Sequence, residues 1–283
     1  MTKNLFAFVT FGLPEFTQLT IQSIKETVTS PYDIFAIVGK PGDDETKNLL
    51  DAENIPCKVH TENLGFPASL NDIYDYAWKE HDYDNLILLG NDVILYPYAG
   101  DSLISVANTT DYEIISGLQY DVRDFTKDFP ETRKYFSGDN YIINDFSSQP
   151  WKQFTGYSDK EEIAPMQLVD IQNMCLYKRE TFDKIGYTDV NFFPAYFVDN
   201  DYARRIHLSN IKCCTLNNAR FFHFWSRVFK QGSGGSTDYY FECNLRYYRQ
   251  KWGGYVGKEK NIPELGIFSR ENELKTIRRW RIK

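Results

Sequence analysis

The sequence predicts an α/β fold with a mostly parallel central sheet. Three observations carry this reading. Apolar runs alternate with stretches of helical periodicity throughout the first 92 residues. The strand candidates are apolar at consecutive positions, as strands covered on both faces must be. Their carboxyl ends are marked by Thr, Gly, Asn and Asp, where a chain leaves a sheet.

The elements follow in order. "NLFAFVTFG" (4–12) reads as a first strand, apolar on both faces and hence central. "PEFTQLTIQSIKETV" carries Phe16, Leu19, Ile21, Ile24 and Val28 near helical spacing. "YDIFAIVG" (32–39) is a second strand. "PGDDETKNLLDA" is a turn and a helix, with Asp43 or Asp44 as N-terminal cap. "CKVHTEN" is a short third strand. "PASLNDIYDYAWKE" is a helix starting at Pro67, where proline suits a first turn. "NLILLGN" is a fourth strand. Residues 120–165 are polar, aromatic and aperiodic, and read as a long loop region with one short helix. "QLVDIQNMCLYKRETFDKIG" returns to a strand and a helix, and "FFPAYFVDNDYARRIHLSN" is an aromatic turn followed by a helix from near Asp199. "IKCCTLNNARFFHFWS" reads as a strand pair, "KQGSGGST" (230–237) as a hinge or lid, and "DYYFECNLRYYRQKWGG" as a helix ending at Gly253–Gly254. The expected organisation is one domain over 1–254 and a basic extension over 255–283.

Composition narrows the class. Length and an apolar content of 42% suit a folded globular chain with a full core. No apolar run reaches the roughly 20 residues of a membrane span, and the start lacks the pattern of a signal peptide. Five cysteines without CxxC spacing read as thiols in a reducing cytoplasm rather than as a zinc site. The net charge of −7 hides an asymmetry: residues 203–283 hold 17 Lys and Arg against 6 Asp and Glu, whereas residues 1–202 hold 15 against 33. A basic C-terminal third suggests an anionic partner or, equally, neutralisation against the acidic body. In "ENELKTIRRWRIK", Leu274, Ile277 and Trp280 recur at helical spacing among basic residues. That basic amphipathic helix suits an anionic membrane surface, a nucleic-acid backbone or packing on the core.

The stretch "LILLGNDVILYP" (86–97) interrupts an apolar run with Gly90, Asn91 and Asp92. A buried carboxylate needs a partner, so either the chain surfaces there or Asp92 holds something. Ligands of open α/β sheets lie beyond the carboxyl ends of the strands, and Asp92 sits at such an end. GxGxxG, the Walker-A lysine loop and the G-x-S-x-G elbow are all absent. Dinucleotide-dependent dehydrogenases, P-loop NTPases and α/β-hydrolases are disfavoured accordingly.

Five blocks, "ENLGFPASLNDIYDYA", "YDNLILLGNDVILYP", "DIQNMCLYKRETFDKIGYTDVNFFPAYFVDNDYARRI", "FFHFWS" and "YYRQKWGG", together resemble a family 2 glycosyltransferase of the GT-A fold, over roughly residues 4–253. The resemblance implies a nucleotide-sugar donor, a UDP-sugar first, a divalent Mn²⁺ or Mg²⁺, and inverting transfer. Asp92 matches the last aspartate of the family's DXD-type metal motif, with Gly90 at the first aspartate position. An oxygen-ligated cation would stabilise the departing diphosphate; the plain alternative for Asp92 is a strand-end turn. "VDND" (198–201) matches the ED-x-D segment with Val198 in place of glutamate, which makes Asp199 the base for the acceptor hydroxyl and Asp201 a partner for Arg204 or Arg205. Both aspartates also suit a helix N-terminus. His223 matches a histidine that reaches metal or diphosphate, or else is a packed core residue. Arg227 and Lys230 would grip the diphosphate, or lie exposed. Thr10, Phe11, Asp43 and Asp44 match nucleoside-binding places, and Asn63, Gly65, Asn71 and Asn91 complete the donor set; caps and a surface helix position are the alternatives for Asp43, Asp44 and Asn71.

The acceptor stays open between a surface or lipid-linked glycan and hydroxymethylated bases of viral DNA reached through the basic third. A non-catalytic sugar-nucleotide or glycan-binding protein is the rival class, motivated by Gly90 and Val198, and a nucleotidyltransferase is a weaker one. The expected location is the cytoplasm, with peripheral contact at the inner face of a membrane as an option.

Overall fold

The computed structural model describes residues 2–120, 136–137, 142–143, 163–165, 173–224 and 237–262. The four strands read from the first 92 residues are β1 (Asn4–Thr10), β2 (Asp33–Val38), β3 (Cys57–Val59) and β4 (Asn85–Gly90). They pair in parallel in the order β3-β2-β1-β4. Helices α1 (Pro14–Thr27), α2 (Asp44–Ala52) and α3 (Gly65–Asp75) connect them, and a π-helical turn, Tyr76–Glu80, continues α3. Pro67 falls inside the first turn of α3 rather than at its start, a place where its missing N–H costs nothing. Asp43 caps α2: its carboxylate accepts from the Thr46 N–H at 3.2 Å.

β1 is central, and its alternation builds two cores. Phe6 and Phe8 join one face with Ile21 and Ile24 of α1. Leu5 and Ala7 join the other with Ile73 and Tyr74 of α3.

On the far side of β4 the sheet continues with β10 (Cys175–Lys178), β6 (Ile114–Tyr120), β11 (Cys213–His223) and β5 (Val93–Leu95). β10 is antiparallel to both β4 and β6, and β11 runs parallel to β6. β5 and β9 (Ile163–Pro165) pair antiparallel with β11. The sheet is thus mostly parallel, with β5, β9 and β10 running against the rest. β7 (Phe136–Ser137) and β8 (Ile142–Ile143) pair with each other. They and β9 lie in the stretch read as a loop.

Two corrections concern the middle of the chain. The sequence alone assigns no element to residues 93–119, where the structure places β5, α4 (Ala99–Thr109) and β6. The expected strand pair at 211–226 is one strand, β11, whose register shifts between Leu216 and Arg220. Asn217 and Asn218 look like turn residues, but the irregularity accommodates them, and the Asn218 amide donates to Ser102 Oγ on α4. The remaining helices are α5 (Arg179–Ile185), α6 (Val198–Leu208) and α7 (Thr237–Trp252). All five cysteines are free thiols. Among the described residues no helix is long and apolar enough to cross a membrane.

α7 is fastened to the body by buried charges. Asp201 of α6 is fully buried and accepts from Arg205 Nε at 3.1 Å and from Trp252 Nε1 at 2.9 Å. Lys251 Nζ bridges Asp201 at 2.6 Å and Asp189 at 2.8 Å. The Tyr247 hydroxyl also donates to Asp189. Asp201 therefore holds Arg205, one of the two arginines expected of it. Past α7 the chain turns at Gly253, and the N–H groups of Lys260 and Asn261 both donate to the Trp252 carbonyl. The basic helix expected from 271 lies outside the described residues.

Burial alone would raise the Asp189 pKa, but the Lys251 charge and its hydrogen bond outweigh burial and hold the carboxyl below its ordinary value. A depressed folded pKa gives stability that is present above the unfolded value of about 3.9 and lost as pH falls through the folded one. Urea unfolding at decreasing pH should show this loss in the wild type and less of it in Asp189→Asn. Removing one member of a buried pair strands the other, so Asp201→Ala should cost roughly 3–5 kcal/mol at neutral pH by the same measurement.

Candidate functional site

The carboxyl ends of β1, β2 and β4 lie level, because Thr10 pairs with Val38 and Val9 with Gly90. β10 runs the other way, so its first residues meet the end of β4: Met174 N–H donates to the Leu88 carbonyl at 2.8 Å. β6 and β11 end at the same edge, with Phe221 opposite Gln119. One rim thus gathers Thr10, Gly90, Asn91, Asp92, Gln119, Asn173 and His223, drawn from distant parts of the chain.

Asp92 and His223 form its charged corner. β5 pairs antiparallel with β11, placing Val93 opposite His223, and Phe224 N–H donates to the Asp92 carbonyl at 3.0 Å. The two side chains then meet, with His223 Nε2 3.2 Å from Asp92 Oδ1 and both residues 7% exposed. His223 Nδ1 lies 3.1 Å from Gln119 Oε1 and 3.5 Å from Asn173 Nδ2. Asn91 turns inward, its amide donating to Thr17 Oγ1 on α1 at 3.3 Å. Gly90 has little room for a side chain: a Cβ there would lie 3.0 Å from Asp92 Oδ1, 3.2 Å from Val93 Cγ2 and 3.3 Å from Asn173 Oδ1. An aspartate at this position would need the Asp92, Val93 and Asn173 side chains to give by a few tenths of an ångström.

On the other flank, the Thr10 hydroxyl donates to the Ile37 carbonyl at 3.3 Å, inside the sheet. The Phe11 ring lies beside Gly39 at the end of β2. Asp43 is buried, and besides capping α2 it accepts from Gly12 N–H at 2.9 Å, tying the β1–α1 turn to the β2–α2 turn. Asp44 is exposed on the first turn of α2. The Lys40 side chain lies over Gly12, a cation at this rim that the motif reading did not single out.

Asn63, Gly65 and Asn71 form a structural joint. Asn63 Oδ1 accepts from Gly65 N–H at 2.9 Å. Gly65 has φ +80°, and a Cβ there would strike the Phe193 ring at 2.7 Å and the Pro194 carbonyl at 3.0 Å. Asn71 is buried, not on a helix surface. Its Oδ1 accepts from both Thr188 N–H (2.8 Å) and Thr188 Oγ1 (2.7 Å), and its Nδ2 donates to the Thr188 carbonyl at 3.1 Å.

That joint braces the segment leading to Asp199. Tyr196 and Phe197 both have positive φ, 61° and 64°, costly for bulky residues at about 1–3 kcal/mol each unless their surroundings enforce it. The enforcement comes from α7. The buried Asn244 amide donates to the carbonyls of Phe192 (3.0 Å), Ala195 and Tyr196 (3.3 Å), and the Phe241 ring packs on those of Tyr196 and Phe197. Asp199, half-buried in the first turn of α6, accepts from Asn200 N–H at 2.9 Å. Val198, at the position of the glutamate in the matched segment, is buried among Phe192, Tyr202 and Ile206 in the core. Arg227 and Lys230 lie outside the described residues, as does the hinge expected over 230–237 except for Thr237, which begins α7.

No family model and no curated protein matches the chain. Solved structures do. A mannosyltransferase from Pyrobaculum calidifontis, PcManGT, in complex with GDP-Man and Mn²⁺ superposes with a TM-score of 0.53 at 13% identity over 81% of this chain. GalNAc-T7 with UDP, GalNAc and Mn²⁺ gives 0.60 at 14% over 89%, and S. aureus TarS 1-349 gives 0.55 at 9% over 89%. The fold is GT-A. The chain spans 58% of PcManGT, 49% of GalNAc-T7 and 72% of the TarS fragment.

Within a GT-A sheet the Asp92–His223 corner can be tested for a cation. Among the described residues no three His, Cys, Asp or Glu side chains converge. A hard divalent cation shared with phosphates needs only one or two protein carboxylates, and the corner offers one plus an imidazole. The residues fit a cation held largely by a diphosphate and do not fit an all-protein cage. Gly90→Asp should therefore destabilise the protein by about 1–3 kcal/mol through overpacking rather than tighten Mn²⁺ binding. Thermal unfolding and a Mn²⁺ titration check the two halves of that statement.

Proposed function

We propose that this chain is a glycosyltransferase that moves a sugar from a nucleotide-sugar donor to an acceptor hydroxyl with inversion. The observation that carries the reading is the carboxylate–imidazole corner of Asp92 and His223 at the carboxyl rim of a GT-A sheet. The relation to nucleotide-sugar enzymes crystallised with Mn²⁺ supports it.

In this reading Asp92 and His223 would hold a divalent cation, which when bound would supply Lewis-acid stabilisation of the diphosphate leaving group. The rim around Thr10, Phe11 and Lys40 faces the nucleoside end. The Asp199 carboxylate takes the proton of the acceptor hydroxyl as its oxygen attacks the anomeric carbon from the face opposite the diphosphate. The bond to the diphosphate breaks, its electron pair stays on the phosphate oxygen, and the configuration inverts. Val198, an apolar core side chain, has no part in the proton transfer. The acceptor we favour is a surface or lipid-linked glycan.

The test is a thermal-shift panel of UDP, GDP and sugar nucleotides with and without Mn²⁺. Ligand that binds the folded state raises Tm by linkage. A shift requiring both metal and nucleotide is expected in the wild type and absent in Asp92→Ala. Asp199→Asn should keep the shift and lose roughly 10²–10⁴-fold in donor turnover. Absence of any nucleotide shift in the wild type would overturn the assignment, and binding without turnover across an acceptor panel would make the chain a sugar-nucleotide-binding protein.

A further inference from the structure

α7 changes character along its length. Asn244, Tyr248 and Trp252 recur at four-residue steps and are all buried against the body. Phe241 begins the same stripe, three residues before Asn244, yet it is 40% exposed. Its ring meets those of Tyr196 and Phe197, with centroids 5.4 Å and 5.2 Å away, and both of these residues are themselves half-buried. Beside it Tyr240 packs on Phe193, and Tyr239, 46% exposed, stands edge-on to Tyr240. A group of aromatic rings is thus left to solvent at the N-terminus of α6, whose first turn holds Asp199. Phe197 caps that helix, its carbonyl accepting from Asp201 N–H at 2.9 Å. A single exposed ring needs no explanation. A contiguous group, set in place by a left-handed backbone that the buried Asn244 holds, does.

Charge narrows what these rings would take. Asp199 lies two residues past Phe197, and Glu242, exposed, follows Phe241. The described arginines and lysine of α6 and α7 are engaged or set apart. Arg205 and Lys251 are held by Asp201, and the Arg204 charge acts on Glu259. Arg249 lies over the Tyr255 ring, about 12 Å along the helix from Phe241. Arg246 follows Glu242 at the four-residue spacing of a helical ion pair. A polyanion would meet carboxylates here rather than cations. A pyranose suits the place: it is neutral, with apolar C–H faces that an aromatic ring buries and hydroxyl edges that carboxylates and tyrosine hydroxyls can bind. We propose that Phe241 and Tyr196, with Tyr239 at the edge, form a stacking platform for a neutral hexopyranose of the acceptor, which presents its hydroxyl to Asp199. The inference rests on the transferase reading above, and within it favours a glycan acceptor over the bases of DNA.

Saturation-transfer difference NMR, with irradiation of the aromatic protons, reads contact between these rings and a sugar without any donor turnover. The probes are the methyl glycosides of glucose, galactose, mannose, N-acetylglucosamine and N-acetylgalactosamine, each with the protein alone and with UDP or GDP and Mn²⁺. At least one should receive saturation, strongest at the C–H protons of one ring face. Phe241→Leu keeps an apolar cover on Tyr196 and Phe197 but removes the aromatic face, and should weaken that sugar about 3–10-fold. Phe241→Tyr should restore it, and the nucleotide-dependent rise in Tm should persist in both. Should Phe241→Leu fail to fold, Tyr239→Ala, which leaves the Phe241 contacts in place, reads the same loss from the edge of the platform. A single-stranded oligothymidylate should not displace the sugar. Saturation of none of the five glycosides overturns the proposal, as does saturation undiminished in folded Phe241→Leu, or displacement by the oligonucleotide. If neither UDP nor GDP raises Tm, the transferase reading fails instead, while the spectra of the protein alone still decide whether the platform binds a sugar.

Discussion

The short antiparallel ladder between β5 and the end of β11 fixes the whole carboxyl rim. It is only three residue pairs long, yet it sets Val93 opposite His223 and so brings a carboxylate and an imidazole together from positions 131 residues apart in the chain. β5 is also an edge strand, whose outward backbone groups need partners. α1 supplies them with small hydroxyls. Thr20 Oγ1 donates to the Val93 carbonyl and accepts from its N–H, and Ser23 Oγ accepts from Leu95 N–H. Thr20 and Ser23 are fully buried on a helix face that otherwise feeds the core. Polar residues at those two positions hold the edge strand, and with it Asp92, in place.

The opposite flank is organised by charge rather than by backbone pairing. Asp189, Asp201, Arg205 and Lys251 bind α6 and α7 into one unit. Asn244 of the same α7 then enforces the left-handed turn at Tyr196 and Phe197 that launches α6 and presents Asp199. The buried network therefore does more than hold a helix: it stabilises a strained backbone that a loop could not maintain alone.

The first four strands were legible because each is an apolar run bounded by turn residues, and their helices begin with recognisable signals such as Asp43. α4 and β5 were not. α4 starts from Tyr98 in a left-handed conformation without a capping side chain, and β5 is three residues long, so neither leaves a local signature. Within the rim, Asp92 and His223 stood out in the sequence as an interrupted strand and a histidine among aromatics. Gln119, Asn173 and Lys40 did not, because an amide or a lysine has no motif of its own; its meaning comes from strands that pair across the sheet. Asn71 shows the same limit from the other side. Its helical position gave no hint that Thr188, 117 residues away, would take up both ends of its amide.

The close fit of Gly65 beneath Phe193 and Pro194 has a consequence for how such sequences can diverge. The glycine is the first residue of α3, and the ring belongs to the segment that leads to Asp199. Gly65 cannot gain a side chain alone, because a Cβ there would meet both the Phe193 ring and the Pro194 backbone. The glycine and the segment above it constrain one another's shape. A side chain at the start of α3 would thus displace the approach to Asp199, so the shape of one side of the rim is written into a glycine on the other.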